Sequence, residues 1–165
     1  MGDFWNNEFL VLNDQDKFNV FRSKRIPNNQ SPVIILHHGG GHSALSWSLV
    51  AKKLISSQIE VIAYDARGHG TIGNIFISPL INMYLGSTIN ADEDDLSLER
   101  LSKDLFSIMS RLYSDETRSR DFILVGHSMG GPVVVDCVIN HLKGFNILGV
   151  VLIDVVEGSS PQQIT

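Results

Sequence analysis

Gly126-His127-Ser128-Met129-Gly130 sets a serine between glycines two residues to either side. A hydroxyl in such a G-x-S-x-G string serves as a nucleophile when a strand runs into it and a helix leaves it, because the turn then lifts the oxygen clear of the backbone. Both neighbours are legible: Phe122-Ile123-Leu124-Val125 precedes the string and an apolar helical pattern follows it. Glycines at the flanks remove side chains that would collide as strand and helix close up. The serine then lies at a helix N-terminus, whose N–H groups favour a developing negative oxygen. Gly131 extends the run of small residues, and Pro132 falls in the first helical turn, where its missing N–H costs little. The competing reading is an ordinary glycine-rich turn with Ser128 as an N-cap. His127 is set aside as the base for Ser128, since consecutive residues in so tight a turn point apart.

A second string, His38-Gly39-Gly40-Gly41-His42-Ser43, leaves backbone N–H groups bare beside whatever occupies the site. After a strand, such a loop supplies one donor to the oxyanion of acyl transfer. Gly40 is the expected donor, with Gly41 next, and Met129 N–H completes the pair; Gly39, Gly41 and His42 are expected to line the substrate. No Lys-Ser/Thr follows the glycines, so a phosphate-binding P-loop fails, and G-x-G-x-x-G is met only loosely through Ala44. The candidate acid is Asp154, twenty-six residues beyond Ser128, a spacing that holds one helix and one strand. A carboxylate there would orient an imidazole and stabilise its charged form. Glu157 is the second candidate. Asp65 also ends an apolar run, but before the nucleophile, and Arg67 is close enough in sequence to pair with it.

These residues sit at the ends of short apolar runs. Val33–Leu36, Glu60–Tyr64, Asp121–Val125 and Leu148–Ile153 read as strands buried on both faces of a parallel sheet. Helical patterns separate them over 43–56, 97–112 and 130–142; the first offers Leu45, Leu49, Val50 and Leu54, and Ser97 is a plausible N-cap of the second. Glu8–Leu12 and Lys17–Arg22 read as a hairpin with one partly wet face. Alternating strands and helices predict an α/β fold with right-handed crossovers, its crevice outside the carboxyl ends of the strands. In α/β-hydrolases the chain order is serine, acid, histidine. All six histidines (His37, His38, His42, His69, His127 and His141) precede Asp154. His42 and His69 are placed near the crevice, and His141 is expected to face solvent.

Composition narrows the function. The 165 residues carry 13 Lys and Arg against 18 Asp and Glu, a net charge of −5, which argues against nucleic acid as the partner. Forty-three per cent hydrophobic residues suit a packed domain. Cys137 is the single cysteine, so no internal disulfide forms, and no metal-ligand set is evident. No apolar run reaches the ~18 residues of a membrane span. The opening MGDFWNNEFL lacks the basic and apolar regions of a secretory signal, and Asn6 stands where myristoylation favours Ser or Thr.

The longer strings His38–Trp47, Asp65–Gly70, Asp95-Leu96-Ser97 with Lys103-Asp104, Val125–Gly131 and Ile153–Gly158 closely resemble those of the protein phosphatase methylesterase family of the α/β-hydrolase superfamily. The resemblance implies an α/β-hydrolase fold, with a mostly parallel sheet covered by helices on both faces. It implies removal of the methyl ester from the C-terminal leucine of the protein phosphatase 2A catalytic subunit, without cofactor, in cytoplasm or nucleus. Ser128 matches the family's nucleophile and Asp154 its acid, while its histidine lies farther downstream than Thr165. Residues 1–165 are therefore expected to form the N-terminal part of one hydrolase domain, truncated after the strand that carries the acid and of little activity alone. Residues 71–90 read as an apolar insertion relative to the family. The alternatives are a non-catalytic fragment that binds the phosphatase, and another esterase or acyltransferase of the same fold.

Overall fold

A computed structural model describes residues 5–13, 16–24, 31–55, 59–70, 92, 94–114 and 119–155. The expected insertion at 71–90 and the alternative acid Glu157 lie outside the described residues. Among the described residues six strands form one sheet: β1 (Trp5–Val11), β2 (Lys17–Ser23), β3 (Val33–His37), β4 (Val61–Tyr64), β5 (Asp121–His127) and β6 (Asn146–Ile153). Their order is β1-β2-β4-β3-β5-β6. The pairs β1/β2 and β2/β4 are antiparallel, and β4/β3, β3/β5 and β5/β6 are parallel. This is the mostly parallel sheet that the strand–helix alternation predicts.

Side-chain alternation along the strands divides the core in two. On one face Ile35, Ile62, Tyr64, Phe122 and Leu124 pack with Leu101, Leu105, Ile108 and Met109 of α2 (Leu98–Tyr113) and Val133, Val134 and Cys137 of α3 (Gly130–Asn140). On the other, Ile34, Leu36, Val61, Ala63 and Val125 meet Trp47 of a 3-10 turn (Ala44–Trp47) and Ala51 of α1 (Ser48–Ile55). The α2 stripe recurs every three to four residues, and Ser97 Oγ caps the helix by accepting from Arg100 N–H at 3.3 Å.

The sequence expectations need correction at several points. The helix expected over 43–56 begins as the 3-10 turn, and its apolar positions Leu49 and Val50 face outward, Leu49 being 84% exposed. The wet part of the expected hairpin is β1, where Asn6 to Phe9 are exposed, while β2 is buried along most of its length. Among the described residues β6 ends the row of strands and is not buried on both faces: Leu148, Val151, Leu152 and Ile153 are exposed. His141 is half-buried, with Nε2 3.9 Å from Asp136 Oδ2.

Arg67 does not pair with Asp65. Its guanidinium is fully buried and donates to both oxygens of Asp104 at 2.7 and 2.8 Å and to Asp16 at 2.9 Å, tying the strand-end turn to α2 and to the β1–β2 connection. Removing one member of a buried ion pair strands the others without a partner. Arg67→Ala is therefore expected to lower the urea unfolding free energy by about 3–5 kcal/mol. Lys103→Ala breaks only the exposed pair with Glu99 and is expected to cost under about 0.5 kcal/mol in the same measurement.

Candidate active site

The parallel strands deliver their carboxyl ends to one edge. The register sets His37 beside both Tyr64 and Gly126, and His127 beside Ile153. The segments that follow β3, β4, β5 and β6 therefore meet, and they hold His38–Ser43, Asp65–Gly70, Ser128–Met129 and Asp154.

At the elbow, Ser128 has φ 49°, a left-handed conformation that costs a side-chain-bearing residue roughly 1–3 kcal/mol. Its N–H donates to Ile153 O at 2.9 Å, and its carbonyl accepts from Gly131 N–H at 2.9 Å. The first bond joins the serine to the residue just before Asp154, so candidate nucleophile and candidate acid are held by one backbone link. The glycine at 126 is obligatory for packing: a Cβ there would lie 2.3 Å from Gly130 O. A Cβ at Gly130 would come within 2.7 Å of His37 O, so the start of α3 rests directly on the end of β3.

The glycine loop lies against this elbow. A Cβ on Gly39 would sit 3.1 Å from Ser128 Cβ, and one on Gly40 would sit 3.7 Å from Met129 Sδ. His38 sets the loop's conformation. Ala66 N–H donates to His38 Nε2 at 2.9 Å, so Nε2 is the acceptor and Nδ1–H donates to Gly39 O at 2.8 Å. Gly39 O also accepts from His42 N–H at 3.2 Å. A trans peptide points its N–H opposite its carbonyl, so the Gly40 N–H is directed away from His38. Among the described residues neither Gly40 N–H nor Met129 N–H meets a backbone acceptor outside helices and strands.

Asp65 braces the loop's far end. Its buried carboxylate accepts from Ala44 N–H and from Asn19 Nδ2, each at 2.7 Å. Burial pushes its carboxyl above the usual range, against the pull of those two donors. Gly41 has φ 72° and open space where a Cβ would be, and His42 Nδ1 lies 3.4 Å from Ser46 Oγ.

Asp154 also has positive φ, 52°, and its carboxylate is 82% exposed. The imidazole nearest to it is that of His127, with Nε2 3.9 Å from Asp154 Oδ2. Adjacency to Ser128 removes His127 as the base and hides this contact in the sequence; the signal for it is the position of His127 at the end of β5. His69 packs at 5.2 Å from His38 and directs Nδ1 at Arg67 O, 2.7 Å away. No group of three or more His, Cys, Asp or Glu among the described residues could hold a metal ion, and no described helix is long and apolar enough to cross a membrane.

Residues 34–163 match the Alpha/beta hydrolase family. The chain belongs to that family. Protein phosphatase methylesterase 1 from Bos taurus and its counterpart from Homo sapiens are each 35% identical over 165 residues, covering 94% of this chain. The chain spans 37% of the length of these relatives. A thioesterase domain from the curacin biosynthetic pathway shares the fold, with a TM-score of 0.65 at 20% identity over 92% of this chain and 46% of that one. The predicted fold and family resemblance thus agree with both comparisons.

Two expectations follow for this α/β-hydrolase chain. Gly126→Ala is expected to abolish soluble expression, because backbone atoms of α3 occupy the space of the added methyl. Gly149→Ala, with nothing within 4 Å of its Cβ position, is expected to change the thermal midpoint by only a few degrees at most. The second concerns pH. Burial lowers His37 to about 4 and His38 to about 3, from an ordinary 6.5. Below pH 6.5 the unfolded chain therefore takes up protons that the folded chain refuses. This contribution is complete above 6.5 and is lost as pH falls toward 4 and then 3, at up to about 1.4 kcal/mol per pH unit for each histidine. Urea midpoints between pH 7 and 5 are expected to fall accordingly, and less steeply in His38→Asn.

Proposed function

We propose that Ser128 is the nucleophile of a carboxylic ester hydrolase whose substrate is the methyl ester on the C-terminal leucine of the protein phosphatase 2A catalytic subunit. The observation that carries the reading is the left-handed Ser128, bonded through its N–H to Ile153 O and overlain by Gly39 and Gly40. The substrate comes from the likeness to protein phosphatase methylesterase 1.

In this mechanism Ser128 Oγ attacks the ester carbonyl carbon and gives up its proton to a base. The tetrahedral oxyanion accepts hydrogen bonds from Met129 and Gly40 N–H, donors that strengthen as charge gathers on the oxygen. Collapse breaks the bond to the methoxy oxygen, which leaves as methanol with the proton returned. Water then cleaves the acyl-serine, restoring the hydroxyl and freeing the leucine carboxylate. Gly39, Gly41 and His42 line the path of the substrate, and Asp154 orients the base and stabilises the charge it gains with the serine proton.

That base has no candidate among the placed histidines. His37 and His38 are buried and engaged with backbone, His69 faces Arg67 O, His141 follows α3 and lies beside Asp136, His42 has Nδ1 3.4 Å from Ser46 Oγ, and His127 is adjacent to Ser128 in the chain. Turnover by residues 1–165 alone is accordingly slow. This favours a second reading, in which the chain binds the phosphatase without demethylating it; capture of the purified catalytic subunit without methanol release distinguishes the two.

A fluorophosphonate probe read by intact-protein mass spectrometry tests the serine. Ser128 is expected to label at least ~100-fold more slowly than the serine of a complete triad, since loss of one triad member costs orders of magnitude. Ser128→Ala is expected not to label. Modification at another residue sinks the assignment, and labelling at triad speed sinks the claim of weak activity.

A further inference from the structure

His127 touches the segments that follow β3 and β6. β5 alternation turns its side chain to the α1 face, with Ile123 and Val125. There the glycine loop rests on the ring: a Cβ on Gly39 would fall 2.8 Å from His127 Nδ1 and 3.2 Å from Cε1. His42, which closes that loop, meets the ring edge-on with centroids 5.6 Å apart and planes at 84°. Trp47 of the 3-10 turn meets it at 6.3 Å and 90°. On the remaining side Nε2 is 3.9 Å from Asp154 Oδ2, and the side chain is only 28% exposed.

We propose that His127 is a positioning residue: its ring is the strut that keeps the Gly39–Gly41 loop over Ser128. The proposal rests on reading that loop as the oxyanion donor. Chain adjacency, which removes His127 as the base, is what gives it this role. Ser128 and His127 leave the strand end in different directions, so the imidazole reaches around the nucleophile to the wall behind it. Edge-on contacts from His42 and Trp47 fix the ring's tilt, and the absent Cβ at Gly39 lets the loop backbone lie directly upon it. Shrinking the ring leaves the loop unsupported at the point where it approaches Ser128.

The test uses the 165-residue chain and three variants. His127→Ala removes both ring and nitrogen, His127→Phe keeps a ring without nitrogen, and Asp154→Asn removes the carboxylate charge. Hydrogen exchange of a peptide spanning 36–47 is the primary readout, because it reports opening of the loop itself. His127→Ala is expected to speed exchange there about 10-fold, with the 98–113 peptide of α2 unchanged, and His127→Phe to return it to within about 3-fold of the parent. Asp154→Asn is expected to leave the loop closed. Fluorophosphonate labelling is the second readout: inactivation rate is expected to fall about 10-fold in His127→Ala with the probe's half-saturating concentration unchanged, and to recover in His127→Phe. Equal exchange in parent and His127→Ala overturns the proposal. So does loosening that spreads to α2, or that Phe fails to restore. A parent chain that never labels, yet shows the loop opening in His127→Ala and closing in His127→Phe, overturns the serine-nucleophile reading and leaves the strut standing. Labelling of Ser128 with no change in the loop does the reverse.

Discussion

The hydrogen bond from Ser128 N–H to Ile153 O, 2.9 Å long, joins the turn after β5 to the last residue of β6. It continues the β5/β6 ladder by one step past the point where β5 stops being a strand. Everything else at the elbow depends on that step being taken with φ positive. A right-handed residue at 128 would direct the chain away from β6 and carry α3 off β3. The missing side chains at Gly126 and Gly130 make the sharp alternative possible, since backbone atoms of α3 and β3 stand where their Cβ atoms would be. The conformation of Ser128, helix placement and the position of Asp154 are thus one constraint seen from three sides.

The loop after β3 is stabilised differently, by buried polar groups. His38 spends both ring nitrogens on backbone, Ala66 N–H and Gly39 O, and Asp65 accepts from Ala44 N–H and Asn19. Each satisfied group replaces water that the glycines could not hold off by packing. Burial lowers the His38 imidazole to about 3, which keeps Nε2 an acceptor at neutral pH. A protonated His38 would face Ala66 N–H with a donor of its own, so the loop's shape requires the neutral form.

Much of this was legible in the residues. Gly126–Gly130 after an apolar run announces the elbow, and the spacing to Asp154 counts out one helix and one strand because element lengths vary little. What escaped was whatever depends on which neighbour a strand has. β6 and β3 are similar apolar runs, yet β3 is buried between β4 and β5 while β6 stands last in the row. Arg67 is two residues from Asp65 but pairs with Asp16 and Asp104, fifty-one and thirty-seven positions away, because the turn points its side chain at α2. Proximity in sequence favours neither partner once the backbone direction is set. The outward Leu49 and Val50 have the same origin: a 3-10 turn rotates the helix that follows, and periodicity alone carries no phase.

The two positive-φ residues with side chains at the site, Ser128 and Asp154, differ in what they demand. Aspartate tolerates the left-handed region, because its short side chain bonds locally, so Asp154 could stand at a strand end for conformational reasons alone. Serine has weaker cause to be at φ 49°. Glycine would fit position 128 without strain and would keep both backbone hydrogen bonds, which involve no side-chain atom. A fold indifferent to the hydroxyl would therefore gain stability from Ser128→Gly. The strain is borne at a position where glycine already stands two residues to either side, and the only thing it retains is the Oγ. Backbone conformation thus argues for chemistry at Ser128 independently of any likeness to other sequences, whereas at Asp154 it is neutral and the case rests on the carboxylate's place beside the elbow.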